Sequence, residues 1–364
     1  MLRISVVDEP PEPGAPERIG ALDYLLSPTW ARLGGVEVEN LCSPGGMFSR
    51  WAYVDRFARA RGHQPARPRA GTVGRADGPL GLLYSPDLGR HPCTRETLLH
   101  LEALAAGRGI STRWLTWRDL DAVDALGALF IRDDTSSVNH TFDFARRAAA
   151  RGIPVIDAPE AIEAASDKAL EAELFALHGL PVPETRLMHA GNLQEVVDRL
   201  GYPFVLKRVD GSFSHEVWRI DGPEDLARRA PVVLHDRLFA VAQAYRPSDF
   251  DWRIGLLGGE LIFAARYMQV PGHWQVSHWD GDTYLAAGAT AAVPLAEVPA
   301  EVAEVARAAG AVLGEGLLGV DLKALAEGVV VIEVNDCADL DVGCEDAAEG
   351  DGLYHRLLDA LGYG

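Results

Sequence analysis

Hydrophobic and polar positions follow two different periods along residues 1–155. Short stretches with the period of two read as strands: RISVVD, GVEVENLC, ALFIRD and IPVIDA. Longer stretches with the period of an amphipathic helix end at glycine: YVDRFARARG, RETLLHLEALAAGRG and NHTFDFARRAAARG. This alternation of strands and helices predicts a mostly parallel sheet covered by helices. A Pro-, Gly- and Arg-rich stretch between residues 62 and 95 predicts a long loop.

The pattern changes after residue 155 and predicts two further domains. Residues 156–240 contain a helix followed by a strand, a loop and a second strand. Residues 241–364 contain long apolar strands around one helix and end in a short helix. The chain is therefore predicted to have an N-terminal α/β domain over 1–155, a small subdomain over 156–240 and a C-terminal subdomain over 241–364.

The stretch GVDLKALAEGVVVIEVND, residues 319–336, predicts two strands joined by a tight turn around Glu327. Folding about that residue places Asp321 opposite Glu333, with Asn335 two residues further along the same face. Like charges directly across a strand pair are destabilising. A Mg²⁺ ion shared by these oxygens would remove the repulsion, so all three residues are candidate metal ligands. A hairpin whose charges point into solvent is the alternative.

Composition narrows the class of protein. The chain has 364 residues, 48% of them hydrophobic, as is typical of soluble globular proteins. No apolar run approaches the roughly 20 residues of a membrane span, and the start lacks the pattern of a secretion signal. The four cysteines have no zinc-site spacing. We expect reduced thiols, a cytoplasmic location and no membrane partner.

The net charge of −19 argues against a nucleic-acid partner. Residues 1–150 contain 18 basic and 18 acidic residues, whereas residues 151–364 contain the other 16 and 35. The whole excess of negative charge therefore lies in the second part of the chain.

Only three of the 34 basic residues are lysine, which makes each lysine position informative. Lys168 begins a predicted helix, and Lys207 ends the apolar strand YPFVLK. A compact, flexible positive charge at such positions suits a phosphate partner. Two ordinary surface lysines are the alternative. Lys323, on the hairpin, is expected to lie on the surface without a role.

The segment VAQAYRPSDFDWRIGLL begins as a strand and breaks at Pro247. An extended backbone there could bind an adenine edge, Asp251 could bind ribose hydroxyls, and Arg253 faces the same way. Arg266, which ends the next strand, is a candidate for binding a transferred phosphoryl group. The loop DGSFSHE could cover phosphate oxygens with backbone N–H groups, although most such loops are simple turns. Its candidate residues are Gly211, Ser212 and Ser214.

In this order, the two lysines, the interrupted strand and the acidic hairpin resemble the ATP-grasp superfamily, and more closely its RimK-like ligases. The resemblance covers roughly residues 125–364 and implies an ATP-grasp fold that binds ATP with two Mg²⁺ ions, or Mn²⁺ in their place. It implies Asp321, Glu333 and Asn335 as the metal ligands. It also implies a hinge strand that contacts adenine through Gln243, Ala244, Tyr245 and Arg246.

The N-terminal part resembles the extension that one bacterial subset carries, the RimK-like ATP-grasp N-terminal domain. Two segments depart from the family pattern. The loop DGSFSHEV is poorer in glycine, and NDCADLDVGCED stands where the family has Asn-Ala/Pro-x-Gly. The family's substrate preferences are therefore not carried over.

Substrate candidates lie in loops beside these features. RDDTSSVNH follows a buried strand and should lie at the C-terminal edge of the sheet, where α/β proteins bind ligands. Arg132 is the candidate there for a substrate carboxylate, with Asn139 and His140 beside it. Local helix-cap and loop hydrogen bonds are the alternative.

The acidic loop after the metal ligands could bind an ammonium group, and a solvated acidic turn is the alternative. Its predicted substrate residues are Asp336, Asp339 and Asp341. In GHWQVSHW, His273 could deprotonate an amine. A packed aromatic loop is the alternative for His273.

The resemblance implies that a carboxylate attacks the γ-phosphoryl group of ATP, and that an amine then displaces phosphate to form an amide. Arg253, Arg266 and His273 are the predicted catalytic residues. Amino acids or peptides are the expected partners, and a homo-oligomer is compatible with the sequence. A small-molecule kinase, a ligase that modifies peptide or protein tails, and a regulatory protein with a decayed ATP site are the alternatives.

Overall fold

The computed structural model describes residues 2–9, 18–43, 47–63, 76–89, 91–281 and 283–364. The strands in these ranges are β1 (Leu2–Val7), β2 (Arg18–Gly20), β3 (Val36–Asn40), β4 (Leu80–Leu83), β5 (Thr112–Leu115), β6 (Ala128–Ile131), β7 (Val155–Ile156), β8 (Thr185–Met188), β9 (Phe204–Arg208), β10 (Val217–Ile220), β11 (Ala240–Ala244), β12 (Phe250–Leu257), β13 (Glu260–Met268), β14 (Ser277–Asp280), β15 (Thr283–Ala287), β16 (Thr290–Ala292), β17 (Leu317–Leu325) and β18 (Gly328–Asn335). The helices are α1 (Ala21–Leu26), α2 (Pro28–Arg32), α3 (Arg50–Ala60), α4 (Arg95–Gly107), α5 (His140–Ala150), α6 (Pro159–Ala165), α7 (Lys168–Leu177), α8 (Leu193–Leu200), α9 (Pro223–Val233), α10 (Ala300–Leu313) and α11 (Asp351–Leu358). Within the same ranges, no helix combines the length and apolar character needed to cross a bilayer.

The chain divides into two compact units, each built from two separate stretches. Unit 1 contains residues 1–68 and 167–246, and unit 2 contains residues 69–166 and 247–364. The units are defined by packing. Their boundary after residue 68 divides the first 155 residues at a point that the sequence pattern does not indicate. The three-domain division stays a prediction.

Unit 1 contains a three-stranded parallel sheet, ordered β2-β1-β3, and a four-stranded antiparallel sheet, ordered β10-β9-β11-β8. Helix α3 packs against α7. Their buried side chains join those of both sheets in one core, which includes Val6, Phe57, Leu170, Phe239 and Val241. This core fixes the start of α7, which carries Lys168, whereas β9, which carries Lys207, packs into a second core through Phe204 and Leu206.

Unit 2 contains a four-stranded parallel sheet, ordered β5-β4-β6-β7, a five-stranded antiparallel sheet, ordered β16-β13-β12-β17-β18, and the hairpin β14-β15. Helices α4 and α11 pack against each other. A core that includes Leu82, Phe130, Phe263, Leu317 and Tyr354 joins the two larger sheets. The candidate metal hairpin and the C-terminal edge of the parallel sheet therefore belong to one packed body.

The mixed α/β class with parallel sheets is as predicted, but residues 1–155 form two parallel sheets rather than one. The loop predicted between residues 62 and 95 contains β4, a central and fully buried strand. Four apolar residues are too few to show a period. Alternation of strands and helices also does not reveal which strands pair, and here the first three strands pack with residues 167–246.

Candidate functional site

Strands β17 and β18 form the predicted hairpin. Their register pairs Asp321 with Glu333, as the sequence predicts, and Asn335 lies two residues along on the same face. The Nδ2 atom of Asn335 is 3.3 Å from Oδ2 of Asp321. Gly328, which follows the turn, has a φ of 129°, a conformation that favours glycine. The structure thus brings together the three predicted metal residues.

A buried arginine holds Asp321. The register of β12 on β17 pairs Arg253 with Asp321, and Nε and Nη2 of Arg253 donate to the two carboxylate oxygens at 2.5 and 3.0 Å. Burial raises the pKa of Asp321 to about 6; Arg253 opposes this rise and Glu333 adds to it. Burial alone would lower the pKa of Arg253, but the acids facing it, above all Asp321, raise it well above its ordinary value. The two short hydrogen bonds between the side chains favour the charged form of both.

The donors on this hairpin fit a hard divalent cation. Asp321 and Glu333 supply carboxylate oxygens and Asn335 supplies an amide oxygen, which are ligands that Mg²⁺ prefers. Within the described ranges, no group of three or more His, Cys, Asp or Glu is arranged to hold a metal. The three candidate ligands on the hairpin are not such a group, because one of them is an amide rather than a His, Cys, Asp or Glu side chain.

Arg266 lies on the opposite face of the sheet from Arg253. The register pairs Arg266 with Trp252, and neighbouring strand residues point to opposite faces. The guanidinium of Arg266 lies over the rings of Phe250 and Trp252, 5.0 and 4.8 Å from their centroids. The structure therefore does not bring Arg266 to the face that carries Asp321. Its placement supports aromatic packing rather than the predicted contact with a phosphoryl group.

Lys323 differs from the surface lysine expected from the sequence. Its side chain is 11% exposed, and Nζ is 2.5 Å from both Ser248 Oγ and Asp251 Oδ1. The same Asp251 oxygen accepts from Ser248 Oγ at 2.9 Å and from Gln269 Nε2 at 3.2 Å. Three donors on one oxygen fix the orientation of the carboxylate predicted to bind ribose.

In unit 1, Lys168 is the first residue of α7. Its neighbour Asp167 caps the helix by accepting the backbone N–H groups of Ala169 and Leu170, and Arg56 Nη1 lies 2.9 Å from the Asp167 carboxylate. Lys168 is 9% exposed. The capped turn therefore holds a buried positive charge at a helix N-terminus, where anions bind readily.

Lys207 lies on β9, between β10 and β11, opposite Val217 and Val241. It is 6% exposed. Neither predicted phosphate lysine is thus an ordinary surface lysine. This burial is consistent with the predicted role and does not test it.

The loop after β9 has a strained backbone. Phe213, Ser214 and Glu216 have φ values of 52°, 58° and 56°, which non-glycine residues rarely adopt. Gly211 is required, because a Cβ there would lie 2.9 Å from the backbone oxygen of His215. Strain of this kind clusters at functional sites, which supports a functional role for this loop. The phosphate contacts of Gly211, Ser212 and Ser214 stay a prediction.

The first two residues of the predicted hinge, residues 243–246, pair within the sheet. Gln243 pairs with both Thr185 and Val205, and the N–H of Ala244 donates to the backbone oxygen of Glu184 at 2.8 Å. The strand ends at Ala244. The sheet therefore leaves Tyr245 and Arg246 as the better placed half of the predicted adenine contact.

Arg132 lies where a substrate carboxylate cannot reach it. The side chain is fully buried, and Nη2 donates to the backbone oxygens of Pro92 and Ala338 at 2.6 and 2.7 Å. The prediction that Arg132 binds a substrate is therefore replaced by a structural role, which is to join three segments of unit 2.

Asn139 also has a local role. It is the N-cap of α5, where its side chain accepts the N–H of Thr141 at 3.0 Å and donates to the backbone oxygen of Asp134 at 2.8 Å. The alternative of a local cap is thus correct for Asn139. His140, the next residue, differs, because its Nε2 lies 2.8 Å from the buried carboxylate of Asp133.

Of the three candidate acids after Asn335, one has a structural role and two are partly buried. Asp341 accepts the N–H of Thr94 at 2.6 Å and the hydroxyl of Thr97 at 3.1 Å, so it caps α4 rather than facing a substrate. Asp339 lies 3.4 Å from Arg253 Nη1, and burial raises its pKa. Burial likewise raises the pKa of Asp336. Asp336 and Asp339 remain substrate candidates.

His273 belongs to a packed turn. Its Nδ1 accepts the backbone N–H of Gln275 at 3.2 Å, and its ring stacks on His278 with centroids 4.1 Å apart. This arrangement corresponds to the packed aromatic loop that the sequence left open.

Sequence reasoning overlooked Asp133 and the role of Lys323. Asp133 stands beside Arg132 in a pair of acids that directly follows a buried strand. A charge at that position is costly to bury, and that cost is the signal that would have identified it. For Lys323, the signal is its place two residues after Asp321 on the same strand.

The four-stranded antiparallel sheet of unit 1, the five-stranded antiparallel sheet of unit 2, the acidic hairpin and the buried lysines are together the features of an ATP-grasp protein. A family profile described as the RimK-like ATP-grasp domain matches residues 165–348. The chain belongs to the RimK-like ATP-grasp family, which confirms the resemblance drawn from the sequence.

Individual relatives agree with this family. The chain is 28% identical over 195 residues to "Probable alpha-L-glutamate ligase 1" of Pseudoalteromonas atlantica, a match that spans 52% of this chain and 61% of that relative. The D-alanine–D-alanine ligase of Bacillus anthracis aligns with a TM-score of 0.61 and 15% identity, over 78% of this chain and 96% of the other. A RimK domain ATP-grasp protein of Sphaerobacter thermophilus aligns with a TM-score of 0.54 and 18% identity, over 79% and 97%. The two structures confirm the predicted ATP-grasp fold.

Proposed function

We propose that the protein is an ADP-forming carbon–nitrogen ligase that joins a carboxylate and an amine with ATP. The observation that carries the proposal is the facing pair Asp321 and Glu333, with Asn335 beside them and Arg253 bonded to Asp321. Such a concentration of charge is costly in a folded chain, and it has a use where metal ions and phosphates are bound. Membership of a family whose relatives are named as ligases supports the same conclusion.

The proposal gives each nucleotide-site residue a binding role. Lys168 and Lys207 bind ATP phosphates together with the loop that contains Gly211, Asp251 binds ribose, and Tyr245 with its neighbour contacts adenine. When bound, Mg²⁺, as two ions or with Mn²⁺ in its place, neutralises phosphate charge on the Asp321 hairpin. Phosphoryl transfer depends mainly on positioning and charge stabilisation, which are what this set of residues supplies.

In the proposed reaction, a substrate carboxylate attacks the γ-phosphoryl group, which gives an acyl phosphate and ADP. An amine then displaces phosphate and forms the amide. The relative named as an α-L-glutamate ligase makes L-glutamate the first substrate to test. Asp336 and Asp339 are the candidates for binding an ammonium group. Amino acids are the favoured class, and peptide or protein tails are the second.

The test measures ADP and phosphate from Mg-ATP with a panel of amino acids and dipeptides, L-glutamate among them, and weighs the products by mass spectrometry. We expect equal ADP and phosphate, and a product equal in mass to the acid plus the amine less one water. Asp321→Asn keeps the size of the side chain and should lower phosphate release by about 100-fold or more.

Asp359→Asn is the matched control, because Asp359 is a half-exposed acid of the same unit that pairs with Arg108. It should leave turnover unchanged. A phosphorylated product without amide would assign the protein to the kinases instead. Unchanged turnover in Asp321→Asn would show that the reaction does not need the Asp321 carboxylate, which would contradict the ligase proposal.

A further inference from the structure

A buried carboxylate lies at the C-terminal edge of the parallel sheet of unit 2. Asp133 follows β6 and is fully buried. Its Oδ1 accepts the N–H of Ser85 at 2.6 Å, and its Oδ2 accepts the Ser85 hydroxyl at 2.6 Å and lies 2.8 Å from His140 Nε2. Burial raises the pKa of Asp133, but the hydrogen bonds from His140 and Ser85 outweigh it and bring the pKa below its usual value. Asp133 is therefore ionised at neutral pH.

The contact with Asp133 determines which nitrogen of His140 carries the proton. An ionised carboxylate only accepts hydrogen bonds, so Nε2 carries the hydrogen, and in the neutral ring the lone pair is then on Nδ1. No hydrogen-bond partner of Nδ1 lies among the described residues, and the side chain is 21% exposed. Phe144 packs edge-on against the ring, with centroids 6.2 Å apart. His140 is thus a base whose ring is held in one orientation by Asp133. The Asp133 carboxylate also stabilises the imidazolium that forms when Nδ1 takes a proton.

Two other histidines of unit 2 have less suitable geometry. Nδ1 of His273 accepts an N–H, so its Nε2 carries the hydrogen and cannot take a proton. Nδ1 of His91 faces the backbone oxygen of Arg132 at 3.4 Å and Asp133 Oδ1 at 3.5 Å, which assigns the hydrogen to Nδ1. The other nitrogen of His91 is buried. A substrate amine therefore cannot reach it.

The segment that carries Asp133 packs directly against the chain that follows the metal hairpin. Arg132 Nη2 donates to the backbone oxygen of Ala338 at 2.7 Å, and Cys337 Sγ donates to the backbone oxygen of Ile131 at 3.3 Å. Ala338 lies three residues after Asn335. The end of β6 that leads to Asp133 is therefore hydrogen-bonded to residues two and three positions after Asn335, at the edge where α/β sheets bind ligands.

We propose that His140, oriented by Asp133, accepts a proton from the ammonium group of the incoming substrate, a role that rests on the proposed ligase function. The substrate class is a primary amine such as the α-amino group of an amino acid. The proton passes from nitrogen to Nδ1, which leaves a neutral amine beside an imidazolium. Without this transfer the nitrogen has no lone pair with which to attack.

The remaining steps involve the amine nitrogen, the acyl carbon and the phosphate. The nitrogen lone pair forms a C–N bond to the acyl carbon of the acyl phosphate. The C–O bond to phosphate then breaks, and the phosphate leaves with the bonding electrons. It takes the second proton from nitrogen and departs as hydrogen phosphate, while His140 returns the first proton to water.

Hydroxylamine distinguishes a base from a residue needed for binding or folding, because it is largely unprotonated at neutral pH and needs no base. Wild type and His140→Gln would be given Mg-ATP and each of the twenty amino acids as carboxylate, L-glutamate first. The nucleophile would be either hydroxylamine or the amino group of L-glutamate. We expect His140→Gln to lower kcat/KM for the amine by about 100-fold, while hydroxamate formation stays at the wild-type rate.

A second variant tests the orientation of the ring. In Asp133→Asn, an amide N–H can donate to Nε2, which moves the hydrogen of His140 to Nδ1. The same loss with the amine and the same retention with hydroxylamine are expected. In His140→Gln, the rate with the amine should also rise with pH toward that of wild type, since the amine then loses its own proton.

His100→Gln is the matched control. His100 Nε2 is also 2.8 Å from an aspartate, Asp351, and its side chain is 35% exposed in the same unit. It should leave both rates unchanged. If His140→Gln slows the amine and hydroxylamine reactions equally, His140 does not act as the base. If wild type releases no ADP with either nucleophile and any acid, the ligase function itself fails, an outcome that needs no variant to recognise.

Discussion

Replacing Arg132 with methionine would remove a buried guanidinium that binds two distant backbone carbonyls. The Nη2 atom donates to Pro92 and Ala338 at 2.6 and 2.7 Å, and the guanidinium lies 5.2 Å from the ring centroid of Phe130. Hydrogen bonds to charged groups contribute about 1.5–3 kcal/mol each. Two of them predict a loss near 3–6 kcal/mol, and relief of the buried charge offsets part of it. We therefore expect the free energy of unfolding to fall by about 3 kcal/mol.

Urea unfolding, followed by tryptophan fluorescence and circular dichroism, measures this loss. The KM values for substrates should change little at temperatures where the variant is folded. Arg146→Met is the matched control: this exposed arginine also lies over a phenylalanine, 5.8 Å from the ring centroid of Phe142. Its replacement should cost less than about 0.5 kcal/mol. If Arg132→Met unfolds like wild type but raises the KM of the carboxylate substrate, the structural assignment of Arg132 is wrong.

Two further variants test the charge clusters. Lys323→Met removes one donor from Asp251, so Mg-ATP should bind about tenfold more weakly, while 2′-deoxy-ATP should be affected less. Calorimetric titration of both nucleotides measures this, with Arg151→Met, which loses an exposed pair with Asp124, as control; equal loss for both nucleotides would contradict a role at the ribose. In unit 1, burial raises the pKa of Asp210, but its arginine partners outweigh burial and lower it. Its stabilising contribution is therefore complete above the unfolded pKa of about 3.9 and is lost as pH falls through the folded pKa. Asp210→Asn should be less stable than wild type at pH 7, and its unfolding free energy should fall less between about pH 4 and pH 2; parallel acid curves for the two proteins would refute this.

The hairpin could be predicted from sequence because everything that defines it is local. The turn lies between two short strands, and the period of two then fixes which side chains face each other. Counting residues about Glu327 gives the pairing of Asp321 with Glu333, and the structure has this pairing through a β-bulge between Asp321 and Leu322 that the count does not reveal. The rarity of lysine makes Lys168 and Lys207 candidates without any knowledge of packing, and their role stays a prediction.

The roles of Arg132 and Asp341 could not be predicted, because their partners are far away in sequence. Arg132 binds a carbonyl 206 residues later, and Asp341 binds a backbone N–H 247 residues earlier. A sequence pattern indicates the face on which a polar residue lies but not the backbone group that it meets there. The same limit hid the partners of Asp133, Ser85 and His140, although its position after a buried strand was visible in the sequence.

The loop after Asn335 is attached at two points, through the carbonyl of Ala338 to Arg132 and through Asp341 to the start of α4. Between these points Leu340 is buried, whereas Asp339 is partly exposed and Val342, just beyond, is 46% exposed. Evolution can therefore vary the exposed positions without loosening the frame that carries them. A mutant library intended to change the substrate should keep Ala338, Leu340 and Asp341 and randomise 339 and 342.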